Sequence, residues 1–235
     1  MADQPQEQRR YYLKYDFYKL DPAWRRLPQE ERRAAAQEFL TLVESFSDSM
    51  MIRSYTCLGL RADVDFLLWK VSDRLEAFPE MAARTNLSAM GPYLTLAHSF
   101  LSMTRRSIYV DNHRHEGQEG TRTTVRPAGS KYFFVYPFVK THEWYQLPMS
   151  ERQPMMDEHI AIGHKYPNVR INTSYSYGLD DQEFVVAFEA TDPAEFLDLV
   201  MALREAKQRP YTERDTPIFT CIAQGLKEIL ESLGG

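Results

Sequence analysis

Aromatic residues crowd two stretches of the chain, 10–19 and 131–140, at the density of a buried strand. Each stretch leads through a Trp and a Leu-Pro step into a mixed apolar and charged run long enough for a helix, over 28–46 and 148–164; Ser150 and Gln153 fit a capping box for the second. Two apolar runs come next in each case, 53–58 with 64–71 and 169–177 with 183–189, flanking turns that hold Gly59 and Gly178. A second helix follows. In the later copy Asp192-Pro193-Ala194-Glu195 places a cap, a first-turn proline and a capping glutamate in order; in the earlier copy the helix starts near Asp73 with Glu76. Short strands at 107–110 and 218–221 close the two series.

The order β-α-β-β-α-β thus occurs twice, and the residues repeat with it. One single-residue gap aligns Tyr15 with Tyr136, Lys19 with Lys140, Trp24 with Trp144, Leu27-Pro28 with Leu147-Pro148 and Glu31-Arg32 with Glu151-Arg152. Ser54-Tyr55, Gly59-Leu60 and Asp65-Phe66 then answer Ser174-Tyr175, Gly178-Leu179 and Glu183-Phe184. Order and spacing kept over so many aromatic, Gly and Pro positions indicate a duplication. The expected fold is α+β: tandem duplicated ferredoxin-like halves, a dimeric α/β barrel in one chain, with antiparallel sheets. The N-terminal half spans 1–110, a linker 111–130 and the C-terminal half 131–235. Each sheet needs cover on the face away from its own helices, and mutual packing of the halves supplies it.

Composition narrows the partners. The 235 residues are 43% hydrophobic and 26% charged, a globular balance with a formal net charge of −5 and a pI near 5.7. That charge gives no general attraction to nucleic acid or anionic lipid. The first ten residues contain no apolar signal core, and no stretch approaches the roughly 18 apolar residues of a bilayer span, so a cytoplasmic location is expected. Cys57 and Cys221 lie in apolar, strand-like contexts without metal-ligand spacing and are expected to be buried thiols.

The two copies disagree at one informative place. The alignment sets Glu38-Phe39 opposite Glu158-His159, exchanging an apolar core residue for an imidazole. Met155, Met156 and Ile162 share the helical face of His159 at i−4, i−3 and i+3, a face that should point inward. Two roles fit this pattern: a core histidine bonded to a backbone carbonyl, or the proximal ligand of a haem iron under an apolar ceiling. Along the strand, Tyr136, Phe138 and Lys140 lie on one face at period two; they fit either ordinary packing with a rim lysine or contact with a ligand held against that face.

The segment Lys131-Tyr132-Phe-Phe-Val-Tyr136-Pro-Phe-Val-Lys140, with Trp144-Tyr145-x-Leu147-Pro148-x-x-Glu151-Arg152, Met156-x-Glu158-His159, Tyr166-Pro167, Gly178-Leu179-Asp180-Asp181 and Phe184, resembles the chlorite dismutase and coproheme decarboxylase superfamily. The resemblance implies that His159 is the proximal iron ligand and that the chain forms a homo-oligomer, commonly a pentamer. Tyr136 matches the catalytic tyrosine of the coproheme decarboxylases, with Lys140 four residues on. In that branch peroxide oxidises the iron of coproheme, Tyr136 gives up an electron, and its radical removes a hydrogen from the β-carbon of a propionate. Carbon dioxide leaves, and two rounds turn Fe-coproporphyrin III into haem b. Lys140 and Arg122, or the neighbouring Arg126, are the expected propionate partners, and a ferrochelatase is a candidate donor of coproheme. The distal base of some relatives matches Glu119 here, with His113 and His115 nearby.

The alternatives implied by the same resemblance are a chlorite dismutase and a non-catalytic haem-binding protein with weak peroxidase activity. Chlorite dismutases carry a distal arginine, whereas counting back from Gly178 puts Ile171 there, between Arg170 and Asn172. An apolar residue at that place disfavours chlorite chemistry, which needs a cation beside a departing anion. The glutamate that partners the proximal histidine in chlorite dismutases is also missing, and its nearest match is Gln208.

Overall fold

The computed structural model describes residues 9–109, 125 and 127–235. The first half runs β1 (Tyr12–Leu20), α1 (Gln29–Glu44), β2 (Met51–Thr56), β3 (Phe66–Ser72), α2 (Ala77–Leu87) and β4 (Leu94–Met103). The second runs β5 (Tyr132–Lys140), a short α3 (His142–Gln146), α4 (Met149–Gly163), β6 (Arg170–Tyr175), β7 (Phe184–Ala190), α5 (Pro193–Arg204), β8 (Thr212–Arg214) and β9 (Phe219–Ala223), and α6 (Leu226–Ser232) ends the chain. Asp192 caps α5 by accepting the Ala194 N–H at 2.9 Å. Ser150 does not cap α4; the helix begins one residue earlier, behind Pro148, with no side-chain cap. Gly59 and Gly178 occupy equivalent turns with φ of +76° and +71°, a region open to glycine at little cost.

The sheets are antiparallel, ordered β4-β1-β3-β2 and β9-β5-β7-β6, which is the ferredoxin-like arrangement twice over. They join edge to edge. Tyr55 and Thr56 of β2 pair with Ala223 and Ile222 of β9, and Met103 of β4 pairs with Tyr175 of β6, so all strands but β8 close into one barrel and leave no free edge. Alternation along the strands then separates three cores. Leu13, Tyr15, Phe17, Trp69, Phe133 and Phe219 fill the barrel, α1, α2 and α6 cover a second core on the outside of the first sheet, and a smaller third core lies outside the second sheet. Cys57 and Cys221 are buried free thiols 3.4 Å apart at the β2–β9 seam.

The fourth strand of the first half lies at Leu94–Met103, not at 107–110. Its hydrophobic pattern is weak because its first residues are largely exposed and a bulge against Phe17 and Tyr18 breaks the alternation. Between the first strand and the tryptophan that follows it, the repeat also needs no gap. The Leu20 N–H donates to Asp65 as the Lys140 N–H donates to Glu183, and Asp65 and Glu183 in turn donate their N–H groups to Tyr18 and Phe138. Asp21 and Thr141 follow suit, each bonding the carbonyl of a tyrosine, Tyr93 and Tyr211. Tyr136 therefore answers Asp16, and Lys140 answers Leu20. Tyr15 answers Val135, and both of these face the barrel interior.

Candidate active site

The outer faces of the two halves differ in how well their helices pack. In the first half α1 buries Ala35, Ala36, Phe39, Leu40, Leu42 and Val43 against the sheet, and Asp16 is sealed in an ion pair with Lys70, 2.5 Å apart. The corresponding helix of the second half, α4, buries no residue; Met155, Met156, His159 and Ile162 are all half-buried. A helix that presents an apolar stripe without closing on its sheet leaves room for a flat ligand. Ile171, Tyr136 and Phe188 line the sheet side: Ile171 pairs with Phe188, the Tyr136 ring stacks on Phe188 with centroids 6.0 Å apart, and Ile171 lies beneath Gly163 of α4. The neighbours of Ile171 point away, since Asn172 turns into the barrel to bond Glu189 and Arg170 is exposed at the strand's end.

Three polar side chains replace one apolar contact cluster. Glu38 accepts the N–H of Ala89, and Glu158 accepts that of Lys207, which sets Met90 opposite Gln208 at the start of equivalent turns. Leu20, Phe39 and Met90 are all in the core beneath α1. Their counterparts form a chain: the Lys140 ammonium donates to Gln208 Oε1 at 2.6 Å, and Gln208 Nε2 lies 3.3 Å from His159 Nδ1. Burial, and secondarily the charge of Lys140, push the His159 imidazole down to about 4, so it is neutral at pH 7 and has one nitrogen lone pair to offer. Burial, then Arg209, brings Lys140 down to about 8 against an opposing pull from Glu183, and its ammonium sits 4.4 Å over the Trp144 ring.

Tyr136 is buried, which raises its phenol pKa; Asp215 adds to that, while Arg204 and Arg209 oppose it. Both arginines donate to Asp215, Arg209 at 2.8 Å. Two guanidinium groups against one carboxylate leave positive charge close to Tyr136. The sequence reading missed both arginines because they belong to the end of α5 and the turn after it, where basic residues are ordinary helix-end chemistry. Arg122, Arg126, Glu119, His113 and His115 lie outside the described residues. Lys140, expected as a propionate partner, is buried and directed at Gln208.

These residues fit an iron porphyrin. A neutral imidazole with one nitrogen engaged, an apolar slot with an aromatic floor, and cations beside it match an axial ligand, a macrocycle and its carboxylates. Among the described residues no group of three or more His, Cys, Asp or Glu side chains could hold a bare metal ion. The family model for chlorite dismutase matches residues 32–224, most of the chain.

The chain belongs to the chlorite dismutase family. It is 32% identical over 194 residues, 81% of each protein, to a coproheme decarboxylase of Mycolicibacterium smegmatis. Among solved structures, a mutant chlorite dismutase from Candidatus Nitrospira defluvii superposes with a TM-score of 0.88 at 25% identity, covering 96% of both chains. A heme-binding protein from Thermus thermophilus gives 0.84 at 28% identity over 96% of this chain and 95% of that one. Membership of the chlorite dismutase family makes this a haem-dependent oxidoreductase fold, and no helix among its described residues is long and apolar enough to cross a membrane.

Proposed function

We propose that the protein binds Fe-coproporphyrin III between α4 and the outer face of β5, β7 and β6, and removes two of its propionate carboxyl groups with hydrogen peroxide to give haem b. The observation that carries this reading is the second half's departure from the first. Where one half has Leu20, Met90, Phe39 and a sealed Asp16, the other has Lys140, Gln208, His159 and a buried phenol at Tyr136 under a helix that is not packed down. His159 is the residue that would hold the iron. When bound, the iron porphyrin supplies the capacity to accept two electrons per peroxide consumed.

The chain's own groups do the rest. Tyr136, kept protonated by burial, can lose an electron and its proton together, and the resulting phenoxyl can take a hydrogen from the β-carbon of a propionate lying against it. A second electron then leaves the propionate, the bond to the carboxyl carbon breaks, carbon dioxide departs and a vinyl group remains. Each round consumes one carboxylate, one peroxide and one proton, and yields one vinyl, one carbon dioxide and two waters. Arg204 and Arg209 are placed to fix the carboxylates and keep the β-carbon in reach. Ile171 puts an apolar surface on the sheet side of the slot, which offers nothing to chlorite's leaving anion. The reading carries with it a cytoplasmic homopentamer supplied with coproheme by a ferrochelatase.

The test is to titrate peroxide into the protein loaded with coproheme III and to follow porphyrin mass and Soret absorbance. Two successive mass losses of one carboxyl each, ending at haem b, support the reading. Binding followed by bleaching with all four propionates intact refutes it, and rapid oxygen release from added chlorite would assign the site to the other branch of the family.

A further inference from the structure

Lys140, Gln208 and His159 form a chain whose hydrogen-bond polarity has only one consistent solution. An ammonium can only donate, so the group that meets Lys140 Nζ at 2.6 Å must be the Gln208 carbonyl oxygen. The amide NH2 is then what remains for His159 Nδ1 at 3.3 Å, and an NH2 can only donate. Nδ1 must therefore be the bare nitrogen of the ring. In a neutral imidazole the proton is then on Nε2, the nitrogen that faces away from Gln208. The place of Lys140 Nζ, 4.4 Å over the Trp144 ring, is also one that suits a cation.

We infer that Gln208, oriented by Lys140, holds the porphyrin-free protein in the His159 tautomer that cannot ligate iron, so that iron binding requires the Gln208 amide to turn over and to release Lys140. The second clause rests on the porphyrin reading given above; the first does not. Iron needs the Nε2 lone pair, which moves the proton to Nδ1 and demands an acceptor there. The turned amide supplies Oε1 to Nδ1–H and presents its NH2 to Lys140, where two donors cannot share one line. Gln208 is thus a positioning residue whose effect is on metal ligation: it sets against the iron a bond to Lys140 that must be broken first. A glutamate at the same place would be acceptor-only and could serve Lys140 and Nδ1–H together, with no turn required.

The tautomer is read directly from the 15N shifts of the porphyrin-free full chain labelled in histidine, by magic-angle-spinning NMR, with the His159→Ala spectrum subtracted for assignment. The expected wild-type result is a protonated Nε2 and a bare Nδ1 at His159, reversed in Gln208→Glu and mixed in Lys140→Met. A protonated Nδ1 in the wild type, or an unchanged tautomer in Gln208→Glu, overturns the proposal. Affinity gives a second readout. Gln208→Glu should tighten ferric coproporphyrin III roughly tenfold while leaving metal-free coproporphyrin III unchanged. Equal changes for the two porphyrins, or none for either, overturn the turning amide. If the wild type and this variant bind neither porphyrin, the functional reading fails while the tautomer result still decides the first clause.

Discussion

Substituting Lys140 by Met removes a buried cation and should change how stability depends on pH over one window. In the folded chain Lys140 titrates near 8, against 10.5 for a solvated lysine, because burial and the nearby Arg209 disfavour its charge. Between those values the unfolded chain holds a proton that the folded chain has released, so the wild-type stability rises as pH increases from 8 to 10.5. At about 1.36 kcal/mol for each pH unit, the rise is about 3 kcal/mol. Below 8 both states carry the proton, and above 10.5 neither does, so the contribution is level on both sides. Other lysines, tyrosines and thiols also titrate in this range, but they do so in the wild type and the variant alike. The assay is urea unfolding of both proteins at half-unit steps across the window, and the quantity of interest is their difference in free energy. A difference that changes by about 3 kcal/mol, with its midpoint inside the window, is expected. Parallel curves would refute the argument, because they would mean that burial and Arg209 do not disfavour the Lys140 charge in the folded protein.

His159→Phe restores the first half's residue and should abolish porphyrin binding. It should also flatten the loss of wild-type stability as pH falls from 6.5 toward 4, where the unfolded histidine takes up a proton that the folded one refuses; acid unfolding of both proteins checks this. Tyr136→Phe keeps the stack on Phe188 and should hold porphyrin affinity within roughly threefold, with decarboxylation measured by mass falling by roughly 100-fold or more. Arg209→Ala should weaken the four-carboxylate coproheme about tenfold, and the two-carboxylate haem b less, in a Soret titration. Glu189→Ala strips the shared acceptor from Ala128 N–H, Gly129 N–H and Asn172 Nδ2, and should cost roughly 3 kcal/mol in chemical unfolding while leaving the porphyrin slot intact.

The duplication was legible because aromatic, Gly and Pro positions survive where a fold reuses the same turns and core layers. Trp24 and Trp144, Gly59 and Gly178, and Glu38 and Glu158 are of this kind. His159 was legible as the place where one copy's core residue had become ionisable. What failed was register inside a strand. Tyr15 and Tyr136 are alike in type, and a one-residue gap matched them at the expense of their faces: one phenol points into the barrel and the other toward α4. The bonds from the Leu20 and Lys140 N–H groups to the Asp65 and Glu183 carboxylates decide between the two alignments, and each joins strands far apart in the chain. Gln208 was noticed as a missing glutamate, yet its tie to Lys140 was not, because the two are 68 residues apart and meet across separate elements.

The corrected register strengthens the functional argument. Had Tyr136 and Lys140 been copies of Tyr15 and Lys19, both could be scaffold kept from the ancestral half. They instead stand opposite Asp16 and Leu20, so both belong to what separates the halves. The first half seals its outer face with α1 and with α6, whose chain end takes the Trp24 indole N–H at Leu233 and the Arg32 guanidinium at Gly234. Among the described residues the second half receives no such covering helix, and α4 stays half-packed over a phenol, an imidazole and two guanidinium groups. In a fold where one copy shows what full burial looks like, the other copy's open face supports the proposed site over a packing defect, since the same sheet and helix order can close when nothing has to enter.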